Sequence, residues 1–389
     1  MFNKNKVLMF RIVYTVYYIA QALSYCLLIN YLTGVGYSAT DRSIFFSCAA
    51  VAGIFINFFV GYLCDKNKTI KKYVMATFLL YGVGTLLVYS FSQKVFFVHF
   101  LLVMIVSSMM SVTMGLLDTW CLVSSDECKN HFGSIRVMGS IGYAIGSELA
   151  AMVFGWFNYV GVGVVTVITL CIAIALFFRE QDFATENKKQ PINFKDISKL
   201  FGHKGYVLAV FTLFSLFIAI SAQSLFVIDK MNLIGATEAH ISRYYSISAI
   251  LELPLFLLGD KIVQKAGLTS TALFVVVAYA VKFVLFGLVG TPNAMIVVSM
   301  LQFCTFPLLS IVSKQLIDKE SPENMKMSGQ QIALAIYSGF AGLIAPLIEG
   351  IIEDGFGINT TIYIFAGVTI LSTLMLLTYI GTKKKEANA

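Results

Sequence analysis

The sequence predicts an all-α membrane protein of twelve transmembrane helices, arranged as two similar six-helix bundles around a central cavity. Three observations carry this prediction. Charged residues are only 13% of the 389-residue chain and 58% are hydrophobic, whereas a soluble domain carries roughly 25% charged residues. So small a share cannot solvate a globular surface of this length. Apolar runs long enough to cross a bilayer recur from end to end. The basic residues then fall almost entirely on one side of the spans so defined.

A hydrocarbon core of about 30 Å needs about 20 apolar residues in helical form. Runs of that length, broken by charge, Pro or Gly, place spans 1 to 6 at 7–32, 43–63, 73–92, 95–123, 137–157 and 159–178. Spans 7 to 12 follow at 206–228, 242–263, 270–290, 293–317, 328–351 and 358–382. The first run exceeds the apolar segment of a signal peptide and is expected to span the bilayer itself. The seven cysteines show no metal-ligand spacing and read as free thiols packed like small hydrophobes.

Charge fixes the orientation. With both termini cytoplasmic, Lys66, Lys68, Lys71 and Lys72 fall inside, as do Arg179, Lys188, Lys189, Lys195, Lys199 and Lys204, and Lys383 to Lys385 in the tail. Of the 28 Lys and Arg residues, Arg42, Lys94, Lys230 and Arg243 fall outside and Lys282 falls within a span; the other 23 lie in cytoplasmic loops, helix ends or tails. This bias sets the topology as a multi-pass inner-membrane protein. It also removes a nucleic-acid partner, because the net charge of +7 is divided among many short loops.

An internal repeat divides the chain. GYLCDK at 61–66 and FLLGDK at 256–261 close the second span of each half, offset by 195 residues. The polar stretch 179–205 is the natural seam, giving an N-terminal six-helix bundle over 1–178 and a C-terminal one over 206–389. Related halves joined by a cytoplasmic linker are the layout of major facilitator transporters. The loop after span 2, with Gly61, Asp65, Lys66 and a following basic cluster, resembles that superfamily's loop signature. The resemblance implies a gating role, in which a carboxylate at a helix end latches in one conformation and releases in the other.

Ionisable groups deep in a membrane span are costly and mark function. Asp118 in span 4, Arg136 at the start of span 5, Glu148 in span 5, Glu252 in span 8 and Lys282 in span 9 are such groups, whereas Arg11 and His99 lie nearer helix ends and are expected to snorkel. At 100° per residue, Arg136, Ser140, Tyr143 and Ser147 form one stripe of span 5, and Tyr14, Tyr18, Gln21 and Tyr25 one stripe of span 1. A guanidinium, hydroxyls and aromatic rings on one face suit a polyhydroxylated ligand.

Here the chain resembles the lactose permease family of oligosaccharide–proton symporters. Asp118 lies 18 residues before Arg136, in Phe132-Gly133-x-x-Arg136-x-x-Gly139-x-x-Gly142-Tyr143. The resemblance implies that Asp118 and Arg136 bind sugar hydroxyls, that Tyr143 stacks on the sugar ring, and that Tyr18 and Gln21 line the cavity. Asp and Tyr stand where the family has Glu and Trp. The C-terminal half departs further. Anchored on Pro307, the family's helix 10 His and proton-carrying Glu correspond to Gln302 and Thr305, neither of which titrates. Gln302 remains a candidate substrate-binding group. Glu252 with Lys282, and secondarily Glu148, are then the proton-coupling candidates.

The function expected is secondary active transport of a small polar solute, a sugar or oligosaccharide first, coupled to protons. A nucleoside or other metabolite carrier, a uniporter and a non-transporting membrane sensor are the alternatives. An enzyme is not expected: neither HExxH nor GxSxG occurs, and the chain has no P-loop for ATP. The partners expected are the solute, a proton and the lipid bilayer, with no cofactor or metal and a functional monomer.

Overall fold

Each of the twelve apolar runs lies in helix. The computed structural model describes residues 3–178, 182 and 200–388, and among these no strand occurs. Arg179, Lys188, Lys189, Lys195 and Lys199 of the central loop lie outside the described residues.

Ten helices among the described residues are long and apolar enough to cross a membrane, and two physical facts reconcile ten with twelve. Phe132–Phe178 is 47 residues long, about 70 Å of helix, which is twice the bilayer core. Asn158 within it has φ 56° and ψ −164°, so spans 5 and 6 meet at one residue held outside helical space. Glu238–Ala266, span 8, has the length at 29 residues but carries Glu238, Arg243, Glu252, Asp260, Lys261 and Lys265, which lower its hydropathy.

Local chemistry ends the helices where the sequence changes. Leu28–Val35 stops at Gly36, whose φ of 98° lets its N–H turn back to Leu32 and Thr33 carbonyls. Ser38 then caps Ala39–Asn67 in a reciprocal capping box with Asp41. Span 10 is interrupted: Pro292–Ser299 passes into a 3₁₀ stretch, Met300–Cys304, before Phe306–Glu320 resumes. Pro307 explains the break, because it lacks an N–H and its ring excludes the carbonyl four residues earlier. Span 11 carries one π-helical turn, Ala335–Phe340.

Contacts divide the chain into two units, Met1–Lys188 with Ala236–Ile250, and Lys189–Gly235 with Leu251–Ala389. In the first, span 5 presses against span 1 through glycines. A Cβ at Gly142 would lie 2.3 Å from the Thr15 carbonyl oxygen and one at Gly146 2.5 Å from that of Ile19, the close backbone approach that small residues permit between membrane helices. Span 3 packs on span 6 in the same unit, where Gly82 meets Val167 and Leu170. In the second unit, span 7 packs on span 11 and span 9 on span 12. The pairings 1 with 5 and 3 with 6 thus recur as 7 with 11 and 9 with 12, as a repeated half requires.

Four basic or histidine positions differ from the sequence reading. His99 does not snorkel: it is fully buried, its Nδ1 2.9 Å from the Tyr37 hydroxyl. Arg42, expected in an outer loop, is buried in the first turn of span 2 and donates to the Thr33 hydroxyl at 2.8 Å. Lys230 is buried because span 7 runs on to Leu233, and it donates to Asn359 at 2.7 Å. Arg11 donates to Ser134 at 2.9 Å, tying span 1 to span 5 instead of reaching outward. In each case a long polar side chain has found a partner within the helix bundle, which satisfies it better than lipid would.

Candidate functional site

Two polar clusters stand out, one in each unit. The first is built on spans 1, 4 and 5. Trp120 on span 4 stacks on Phe177 with ring centroids 4.3 Å apart and meets the edge of Phe10 at 6.4 Å. This buried aromatic group fixes span 4, and Asp118 projects two residues before Trp120. Gly139 leaves room for the Tyr18 ring, which a Cβ there would approach to 2.9 Å. Tyr18 can therefore reach Arg136, which lies one turn before Gly139.

Arg136 Nη1 lies 3.6 Å from Asp118 Oδ1, beyond ordinary hydrogen-bond distance. Instead Arg136 donates to the Tyr18 hydroxyl, with its guanidinium 5.6 Å from the centre of that ring. Asp118 Oδ1 accepts from the Tyr14 hydroxyl at 2.7 Å. Each member of the ion pair is thus bonded to a tyrosine, and the two side chains remain 36% and 29% exposed. Both ions keep hydrogen-bonding capacity for a ligand: acceptor sites on the carboxylate and donors on the guanidinium.

The other residues of the two stripes lie further along the same helices. Gln21, one turn beyond Tyr18, has a buried Oε1 with no hydrogen-bond partner among the described residues. Ser140 is half-buried. Tyr143 meets the edge of Tyr245 at 6.3 Å and receives a long contact of 3.7 Å from the Cys26 thiol. Glu148 is not gathered into this cluster; it forms a 3.9 Å ion pair with Arg243.

The second cluster joins spans 8, 9 and 10. Lys282 is fully buried between the rings of Tyr279 and Phe286, its Nζ 5.7 and 5.5 Å from their centres. It donates to Gln302 Oε1 at 2.5 Å, and Gln302 Nε2 donates to Glu252 Oε1 at 2.7 Å. The amide is therefore a bridge between ammonium and carboxylate. Thr305 is buried and turns its hydroxyl back to the Leu301 carbonyl at 3.2 Å, in place of the acid the symporter resemblance would require.

Gly61, Asp65 and Lys66 lie in the last turns of span 2, which stays helical to Asn67. Lys66 Nζ is 6.0 Å from the centre of the Tyr62 ring. Nearby, Asp182 beyond span 6 accepts from the backbone N–H groups of Ile70 and Lys71 at 3.0 and 3.1 Å, capping the start of span 3. In the repeat, Asp260 accepts from Gln315 of span 10 at 3.2 Å.

Sequence reading missed Tyr14's bond to Asp118 and a third group, Asp229, Glu349 and Glu353, whose carboxylate oxygens lie within 4.8 Å of one another. The i, i+4 spacing of Glu349 and Glu353 near the end of an apolar run was the available signal.

The family model of the MFS_1-like family matches residues 3–380. The chain belongs to that family. It is therefore a multi-pass membrane protein of a transporter family, with the major facilitator fold. The nucleoside permease NupG of Escherichia coli strain K12 is 23% identical over 90% of this chain and 91% of its own. The sucrose permease of Escherichia coli is 23% identical over 95% of this chain and 92% of its own. The crystal structure of a point mutant of NupG superposes with a TM-score of 0.82 at 17% identity, over 96% of this chain and 99% of that one.

Proposed function

We propose that this member of the MFS_1-like family is a secondary active transporter of a small solute built on a polyhydroxylated ring, working by alternating access and driven by protons. The observation that carries the reading is the partly exposed pair of Asp118 and Arg136, 3.6 Å apart. An acceptor-only carboxylate beside a donor-only guanidinium matches a vicinal diol, one hydroxyl donating to Asp118 and its neighbour accepting from Arg136. Tyr18, bonded to Arg136 and with its ring beneath the guanidinium, holds the donor side of the pair in place.

A diol of this kind occurs on the ribose of a nucleoside and on a simple sugar. The nucleoside is placed first, because tyrosines also stack on a base and because of the likeness to NupG in sequence and fold. A sugar is the second reading, favoured by the Phe132-Gly133-x-x-Arg136 pattern and by the likeness to the sucrose permease. Proton coupling is assigned to Glu252, with Gln302 relaying the charge of Lys282 to it. Asp65 and Lys66 are assigned to gating, and both termini to the cytoplasm.

The test is counterflow in proteoliposomes loaded with unlabelled nucleosides or sugars, against labelled uridine and labelled sucrose outside. Uridine counterflow supports the first reading and sucrose counterflow the second; exchange of neither rejects the solute class. Orientation is checked separately with a C-terminal reporter enzyme active only in the cytoplasm, whose silence would reverse the topology.

A further inference from the structure

The proposed solute clamp leaves one polar group in its surroundings unassigned. Tyr14 is 1% exposed, so it cannot itself touch a solute, yet its hydroxyl is spent on Asp118 Oδ1 at 2.7 Å. Its ring stacks on that of Tyr18, with centroids 6.3 Å apart and planes 18° apart. Tyr18 in turn accepts from Arg136. The two tyrosines are four residues apart, hence neighbours on one face of span 1. Each holds one member of an ion pair that stands 3.6 Å apart instead of closing.

A carboxylate carries two oxygens and about four acceptor positions. Without a fixed donor, Asp118 could rotate to close a bidentate pair with Arg136, the strong arrangement for these two groups. Such a closed pair would have to be broken before either group met a ligand. We propose that Tyr14 is a positioning residue that anchors Asp118 through Oδ1 and thereby presents it as an open acceptor for a hydroxyl of the transported solute. This inference rests on the reading of Asp118 as a solute-binding group.

Tyr14→Phe removes the hydroxyl and keeps the ring, so the stacking on Tyr18 survives. Two measurements on the full chain test the idea. The first needs no solute: thermal unfolding in detergent of the parent, Tyr14→Phe, Asp118→Ala and the double variant. Tyr14→Phe should lower the unfolding midpoint in the parent and have no effect, or raise the midpoint, in the Asp118→Ala background, where the hydroxyl has lost its acceptor. An equal fall in both backgrounds would mean that Tyr14 merely packs, and the proposal would be wrong.

The second measurement is the concentration dependence of uridine and sucrose counterflow. A lost hydrogen bond to a charged group should raise the half-saturation concentration roughly tenfold, with the maximal rate within about twofold of the parent. An unchanged half-saturation concentration for a solute that the parent exchanges overturns the positioning role. Exchange of neither solute by the parent rejects the solute-binding reading of Asp118 itself, whereas the unfolding comparison still decides whether Tyr14 anchors it.

Discussion

Arg136 meets a hydroxyl, an aromatic ring and a carboxylate at once. A planar fork of five donors can do this and a single ammonium cannot. Arg136→Lys should therefore raise the half-saturation concentration of counterflow by tenfold or more, while the unfolding temperature in detergent moves little. Little change in affinity would remove Arg136 from the clamp. In the second cluster the buried ammonium of Lys282 and the carboxylate of Glu252 are tied through one amide. Removing one charge strands the other, so Lys282→Leu should destabilise the protein by about 3 kcal/mol, and adding Glu252→Leu should recover most of that loss. Unfolding in mixed micelles measures both, and a double variant no more stable than Lys282→Leu would argue that the bridge does not couple the two charges.

At the scale of elements, close helix contact is what places the tyrosines of span 1 against span 5. Gly142→Ala would drive a methyl into the Thr15 carbonyl, a backbone atom that cannot move aside, at a cost of about 2 kcal/mol or more. Gly155→Ala in the same long helix has nothing within 4 Å of the added carbon and should stabilise by about 0.5 kcal/mol through helix propensity. Melting temperatures of the two variants should move in opposite directions; an unchanged or higher melting temperature for Gly142→Ala would show that the spans can part there. Much of this level is legible in the sequence, because hydropathy and periodicity are local properties. The apolar runs leave residue 158 between spans 5 and 6, and Asn158 does leave helical space. Span 8 reads as an apolar run over 242–263 even though the charges of Glu238–Ala266 lower the hydropathy of the whole helix. Periodicity assigns a residue to a face but names no partner on another helix. It therefore put Tyr14 and Tyr18 on one stripe without showing that one holds a carboxylate and the other a guanidinium. It likewise gave no hint that His99 and Lys230 turn inward to Tyr37 and Asn359.

At the scale of the whole molecule, a transporter driven by protons must tie a proton-binding event to its change of conformation, and a ligand or proton shifts such an equilibrium only by its differential affinity for the two states. Glu252 lies two residues before Pro254, which denies its turn one backbone hydrogen bond. Its carboxylate is joined through Gln302 to the interrupted part of span 10. A change of charge at Glu252 is thus felt on two spans whose backbone is already weakened, which suits a proton-sensitive element better than a rigid brace would. Glu252→Gln keeps the size of the side chain and an oxygen that can accept from Gln302 Nε2 but can no longer take up a proton. In proteoliposomes with an acidic exterior, the parent should accumulate its solute above the external concentration. The Glu252→Gln variant should reach only equal concentrations on the two sides, with counterflow at a rate within severalfold of the parent. Loss of exchange together with accumulation would place Glu252 in solute binding, and accumulation equal to that of the parent would move the coupling proton elsewhere, with Glu148 and its partner Arg243 the next pair to neutralise.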